Sequence, residues 1–218
     1  MNFIFSYFFF LKFINRFQGI ILSSLIVLTL GFFLVSISNG SFSFSLISLF
    51  SLEESLNKVV LYEIRIPRVL LAGFVGASLG LSGASLQGLF RNPLADPGLI
   101  GVSAGAALGA ALLIVLGSSL IPEFIFNTFA LPISAVTGAA IVITMLYFFT
   151  RGFGYQGITY MLLIGIAVNA LASVGIGVLT FISSDSELRG LTFWTMGSFG
   201  GASWQIILPA LFIISCSI

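Results

Sequence analysis

Two arginines stand three residues apart around a proline, Arg65-Ile66-Pro67-Arg68. Guanidinium groups fork onto carboxylates in bidentate pairs, so two of them at a rim suit an acidic patch on a partner. The alternative is local. They snorkel to lipid headgroups, or they pair with Glu63 or with Glu53 and Glu54. A second constellation, Arg91-Asn92-Pro93-Leu94-Ala95-Asp96-Pro97, is a short polar hinge between two apolar runs. The third is a set of isolated polar side chains in or near apolar runs: Ser85, Gln87, Ser103, Asn169 and Ser173. Gly165, Asn169, Ser173 and Gly177 recur every four positions and so share one helix face. Either they make interhelical hydrogen bonds, worth about 0.6 kcal/mol each in lipid, or that face lines a route for a solute.

The chemistry that is missing narrows the function further. There is no histidine, and Cys216 is the single cysteine. No disulfide can form within these residues, and His- or Cys-rich metal sites are excluded, so no metal ligands and no cofactor are assigned. No aspartate or glutamate lies within an apolar run, which removes intramembrane aspartyl and zinc proteolysis. A serine nucleophile would have no histidine base. No catalytic residues are assigned. No Gly-Lys-Ser or Gly-Lys-Thr occurs, so any ATP must be bound by another chain. Ionisable groups inside the spans would mark an ion or proton relay, and there are none. Their absence argues against an ion-coupled secondary transporter. A net charge of +1 gives no basic field for nucleic acid.

The elements that must carry these residues are helices in a bilayer. The chain has 218 residues, 58% hydrophobic and only 7% charged, where soluble domains carry about 25% charge. Six apolar runs predict spans at 17–38, 69–90, 97–117, 126–149, 158–182 and 203–218. They are too long and too unalternating for barrel strands, so the expected fold is an all-α polytopic transmembrane bundle. The segment 3–11 is too short to cross and is assigned to the interface. The run 17–37 is longer than a signal core and no small-residue cleavage site follows, so it reads as a retained span. Residues 45–62 read as an amphipathic surface helix, and 122–123, 150–154 and 183–189 as connections.

The hinge accounts for itself. Pro93 biases Asn92 away from helical geometry, which stops the helix before it. Asp96 is placed to cap the next helix, with Pro97 in its first turn, where the missing N–H is harmless. Small residues recur every four positions on the helix before it (Ala72, Gly76, Gly80, Ala84, Gly88) and after it (Gly101, Gly105, Gly109). Such ladders let helix backbones approach closely.

The segment RIPRVLLAGFVGASLGLSGASLQGLFRNPLADPGLIGVSAGAALGA resembles the signature of FecCD-type permeases, the membrane subunits of ABC importers for iron–siderophores, haem and vitamin B12. LLIGIAVNALASVGIGVLTF and FWTMGSFGGASW form a second matching block. The resemblance covers nearly the whole chain after the first helix. It implies one permease domain over 1–218, about six spans of a larger ABC importer fold, in the cytoplasmic (inner) membrane. It implies a periplasmic or lipid-anchored substrate-binding protein docked at Arg65 and Arg68, a cytoplasmic ATPase subunit, and a second permease copy, homodimeric or paralogous. It places a cytoplasmic gate at Asn92, Leu94, Ile158 and Thr159, for each of which ordinary loop structure is the alternative. Gly76, Gly80, Gln87, Gly101, Gly105, Asn169 and Ser173 fall to pathway or helix packing. A short helix near 194–201 is expected at the outer mouth, with Trp194 and Trp204 as interfacial anchors.

Orientation is not decided by charge. With the N-terminus inside, Lys12, Arg16, Arg91 and Arg151 lie inside, and Lys58, Arg65, Arg68 and Arg189 outside, an even split. Lys12 and Arg16 ahead of the first span favour a cytoplasmic N-terminus, as does the resemblance. Family members run on through a cytoplasmic coupling segment and further helices. The expectation is therefore a fragment or a truncated permease, ending within its sixth span. A channel or secondary transporter independent of ions, and a non-functional truncated permease, are the competing readings.

Overall fold

The computed structural model describes residues 2–39, 56–120, 129–154 and 156–217. Every regular element among them is helical. The α helices are α1 (Asn2–Ser38), α2 (Leu56–Val59), α3 (Ile66–Phe90), α4 (Val102–Leu120), α5 (Ala130–Thr150), α6 (Gln156–Ile182), α7 (Asp185–Met196) and α8 (Trp204–Ser217). Four stretches are long and apolar enough to cross a membrane: Phe17–Ser38, Val60–Phe90, Ala130–Thr150 and Gln156–Ile182. Val102–Gly117 and Trp204–Cys216 are shorter apolar helices. Each of the six expected spans therefore overlaps an apolar helix, and four of these helices are long enough to cross a membrane.

Four boundaries differ from the sequence reading, each for a physical reason. First, α1 begins well before residue 17, and the 3–11 stretch assigned to the interface continues it as one helix. At 1.5 Å per residue its 37 residues reach about 55 Å, well beyond a bilayer core of about 30 Å.

Second, the helix expected from Val69 is already formed upstream. α2 runs into a π-helical turn, Val60–Arg65, which runs into α3. Apolar periodicity does not register this start, because charged residues occupy it. Pro67 has no N–H to donate, and the wide π turn just before it re-registers the backbone where the missing bond would otherwise be felt. Of the surface helix expected at 45–62, residues 45–55 lie outside the described residues, as do Glu53, Glu54 and the connection at 122–123.

Third, the run 97–117 is not one helix. Pro97–Ile100 is a 3-10 turn, Gly101 is left-handed at φ 78°, and α4 starts after it. Fourth, 183–189 is not a plain connection. Ser184 and Glu187 make a reciprocal capping box that starts α7. The short helix expected near 194–201 thus lies earlier, at Asp185–Met196, and Gly197 ends it with φ 71°.

The contacts divide the chain into two compact units. The first holds α1, α2, the beginning of α3 as far as Phe74, and α8. Leu61, Pro67 and Ile207 are the largest fully buried side chains among its described residues. Gly73 lies against the ring of Phe33 on α1, with no room between them for a side chain. The second unit holds the rest of α3 and α4 to α7. Ile100, Val142, Leu146 and Val168 form one of its apolar clusters, and Ala111, Val115, Leu179 and Leu191 another.

The tightest contact in the second unit is between α4 and α5. A Cβ on Gly105 would overlap the Gly138 carbonyl, one on Gly138 would overlap the Gly105 carbonyl, and one on Gly109 would press on Ser134. Gly105 and Gly109 of that ladder are thus packed against Gly138 and Ser134 of α5. Ser134 Oγ donates to Gly109 O at 2.6 Å across this contact.

Candidate functional site

In the first unit, both arginines sit on backbone carbonyls. Arg65 is 9% exposed, and its Nη1 donates to Ile37 O at 2.8 Å and Ser38 O at 3.2 Å. These are final carbonyls of α1, which have no partner within the helix and form the negative end of its dipole. Arg65 is therefore a charged cap on α1. Arg68, one turn on, is exposed, and its Nη2 donates to Gly200 O at 3.3 Å. Trp204 Nε1 donates to Tyr62 O at 2.8 Å, inside the π turn. Its indole N–H thus has a partner within the chain.

The second unit contains the hinge. α3 ends at Phe90, and Arg91 turns left-handed at φ 49°. The amides of Arg91 and Asn92 close that end by donating to Gly88 O and Gln87 O. Asn92 Oδ1 accepts from Leu94 N at 2.9 Å, and Asn92 O accepts from Ala95 N at 3.1 Å. This tight turn buries Ala95 and leaves Leu94 84% exposed at the tip. Asp96 Oδ1 then accepts from Gly98 N at 2.6 Å, the cap expected from the sequence, although it starts a 3-10 turn rather than α4.

That turn rests on α6. Asn169 Nδ2 donates to Gly98 O at 3.0 Å. A Cβ on Gly165 would overlap Leu99 O and approach Ile100 Cα to 2.7 Å. Gly101, whose φ already requires glycine, meets Val168 on the same helix. Ile158 and Thr159 are at the first turn of the same α6, half-buried and exposed respectively.

Residues 22–218 match the FecCD transport family. The chain belongs to that family. Among similar proteins is the hemin transport system permease protein HmuU of Yersinia pestis, 42% identical over 199 residues, which cover 90% of this chain and 57% of that one. The vitamin B12 import system permease protein BtuC of Salmonella typhimurium is 38% identical over 165 residues, covering 73% of this chain and 48% of that one. A solved structure described as an inward-facing, metal-chelate type ABC transporter superposes with a TM-score of 0.72 at 31% identity, over 87% of this chain and 57% of its own. The helices thus form an ABC permease fold, and the chain spans about half the length of the relatives it matches.

Within this FecCD chain the other singled-out residues separate clearly. Gly101 and Gly105 are buried in helix contacts, whereas Gly76 and Gly80 have nothing within 4 Å of where a Cβ would stand. Gln87 and Ser173 are exposed, and Ser173 Oγ donates to Asn169 O on its own helix. The amide of Asn169 faces the hinge. Ser134 and Gly138 escaped notice in the sequence, although Ala130, Ser134 and Gly138 repeat the four-residue spacing of the ladders. A groove of about 540 Å³ opens beside the α4–α5 crossing. Its polar side chains, Ser134 and Thr137, already donate to Gly109 O and Ile133 O, so the groove has little with which to select a polar solute.

Proposed function

We propose that this chain is the membrane-spanning permease of a binding-protein-dependent ABC importer. Its cargo is an iron–siderophore or a related haem- or cobalamin-type complex. The observation that carries this reading is the family match over 22–218, and the hemin and vitamin B12 permeases among its relatives support the cargo class. The protein sits in the cytoplasmic (inner) membrane with its N-terminus in the cytoplasm. A loaded binding protein docks outside, where the exposed Arg68 pairs with carboxylates and Arg65 holds the end of α1 beneath it. A separate ATPase subunit engages inside, and a second permease copy completes the route.

Transport follows alternating access. No bond is made or broken in this chain. Asn92 and Leu94 on the hinge, with Ile158 and Thr159 at the start of α6, close the cytoplasmic end. The wall is lined by small and apolar side chains together with Ser173, so a bulky chelate is held weakly and moved by conformational change. The test is uptake into proteoliposomes holding the full-length protein with its ATPase, supplied with its binding protein and ferric siderophore, hemin or cobalamin. Uptake of one of these that needs both ATP and binding protein is expected. Uptake that ignores the binding protein would instead identify a channel or secondary transporter.

A further inference from the structure

The hinge between α3 and α4 is a chain of short hydrogen bonds with one anchor on another helix. From its tip, Leu94 N is held by Asn92 Oδ1, Ala95 N by Asn92 O, Leu99 N by Asp96 O, and Gly98 N by Asp96 Oδ1. Nothing in this sequence of bonds leaves the hinge until Gly98 O accepts from Asn169 Nδ2, 71 residues away. A broken helix in a membrane frees backbone carbonyls, and these need partners from neighbouring helices. Asn169 supplies one. Gly165, one turn earlier on α6, supplies the space in which the Leu99 carbonyl lies. Val168, between them, packs on Ile100 and faces Gly101. One turn of α6 is therefore a socket with a hydrogen-bond donor, a gap and an apolar wall, each matched to a different residue of the 98–101 turn.

From this geometry we infer that Asn169 is a positioning residue that locks the hinge to α6, so that the Leu94 tip and the Ile158–Thr159 turn ride on one helix and move as one body. The consequence for transport rests on the importer reading, but the mechanical coupling does not. If the two closing elements share α6, a single displacement of that helix moves both ends of the gate. No separate signal has to reach the hinge.

The coupling is read by distance. Spin labels go on Leu94→Cys and on Leu171→Cys, an exposed position of α6, in an otherwise cysteine-free full-length protein in lipid nanodiscs. The protein is measured alone, and again assembled with its ATPase, with and without ATP. One narrow distance population that persists in every state is expected. Asn169→Leu keeps the approximate size and shape and removes the donor. It should release the tip, raising the detached population about threefold, the factor set by an average interhelical hydrogen bond in lipid. Asn169→Gln, which restores a donor, should bring the narrow population back in part. Gly165→Ala should shift the distance by displacing the Leu99 carbonyl. An unchanged distribution in Asn169→Leu overturns the inference. If the variants fail to fold, the unsubstituted protein still decides: a Leu94–Leu171 distance that changes between states means that hinge and α6 move separately. A protein that shows no uptake yet keeps one fixed distance would sink the importer reading and leave the coupling standing.

Discussion

Arg65 and Arg68 carry the same charge in the same motif, and the structure gives them different work. Arg65 faces two carbonyls at the end of α1 and is nearly buried, so truncation there strands acceptors. Arg65→Ala should lower stability by about 1–3 kcal/mol, the penalty for leaving such groups unsatisfied, as measured by thermal unfolding in detergent. Arg68→Glu should insert and fold normally but lose binding-protein stimulation of uptake. Stimulation at the unsubstituted level would remove Arg68 from the docking surface. At the hinge, the apolar side chain of Leu94 is 84% exposed, which suits a residue that closes against something else. Leu94→Ala combined with Ile158→Ala should make vesicles leaky to small solutes, and tight vesicles would count against this gate. The motif Arg-Ile-Pro-Arg was legible as chemistry in the sequence. Which arginine caps and which faces outward was not, because Ile37 and Ser38 are distant in sequence and only folding brings them to Arg65.

The glycine ladders look alike along the chain and differ at the level of elements. On α4 the ladder is filled: Gly105 and Gly109 lie against Gly138 and Ser134 of α5, backbone against backbone. Gly138→Ala must push the helices apart and should destabilise by about 1–3 kcal/mol, the usual effect of overpacking. On α3, Gly80 faces open space. Gly80→Ala in this chain should be neutral or stabilising by up to about 1 kcal/mol, since alanine is the better helix former. Unfolding of the two variants side by side checks both expectations, and equal effects would mean that the α4–α5 contact is looser than it stands. Four-residue spacing identifies a face capable of close approach. It carries no information on whether another helix fills that face, because this depends on the facing sequence, here Ser134 and Gly138. The broken start of α4 was hidden for a related reason. Hydropathy is continuous through Gly101, and the left-handed turn is held by Asn169 and Gly165, both more than sixty residues away.

For the whole molecule, two compact units are built from one apolar chain, and much of their apolar surface remains exposed. Phe181 is 90% exposed, and none of the most apolar window of α1 is buried within the chain. In a bilayer such surface meets lipid or other helices, so it is compatible with a stable fold. Orientation belongs to this scale as well. The charge count is even, and Lys12 and Arg16, within α1 just ahead of its apolar span Phe17–Ser38, favour a cytoplasmic N-terminus. A protease-sensitive tag fused before Met1 should survive digestion from the periplasmic side and be cut once the membrane is opened; cleavage from outside would invert the topology. By itself the sequence determined the membrane class, the places of six apolar helices, the hinge with its Asp96 cap, and the resemblance to the FecCD family. These follow from composition, run length and local stereochemistry, which act over a few residues. Only the tertiary structure decided the cap on α1, the filled and open ladders, the break at Gly101 and the anchor at Asn169. Each of these is a match between backbone groups far apart in the chain, and such matches exist only once the helices are packed.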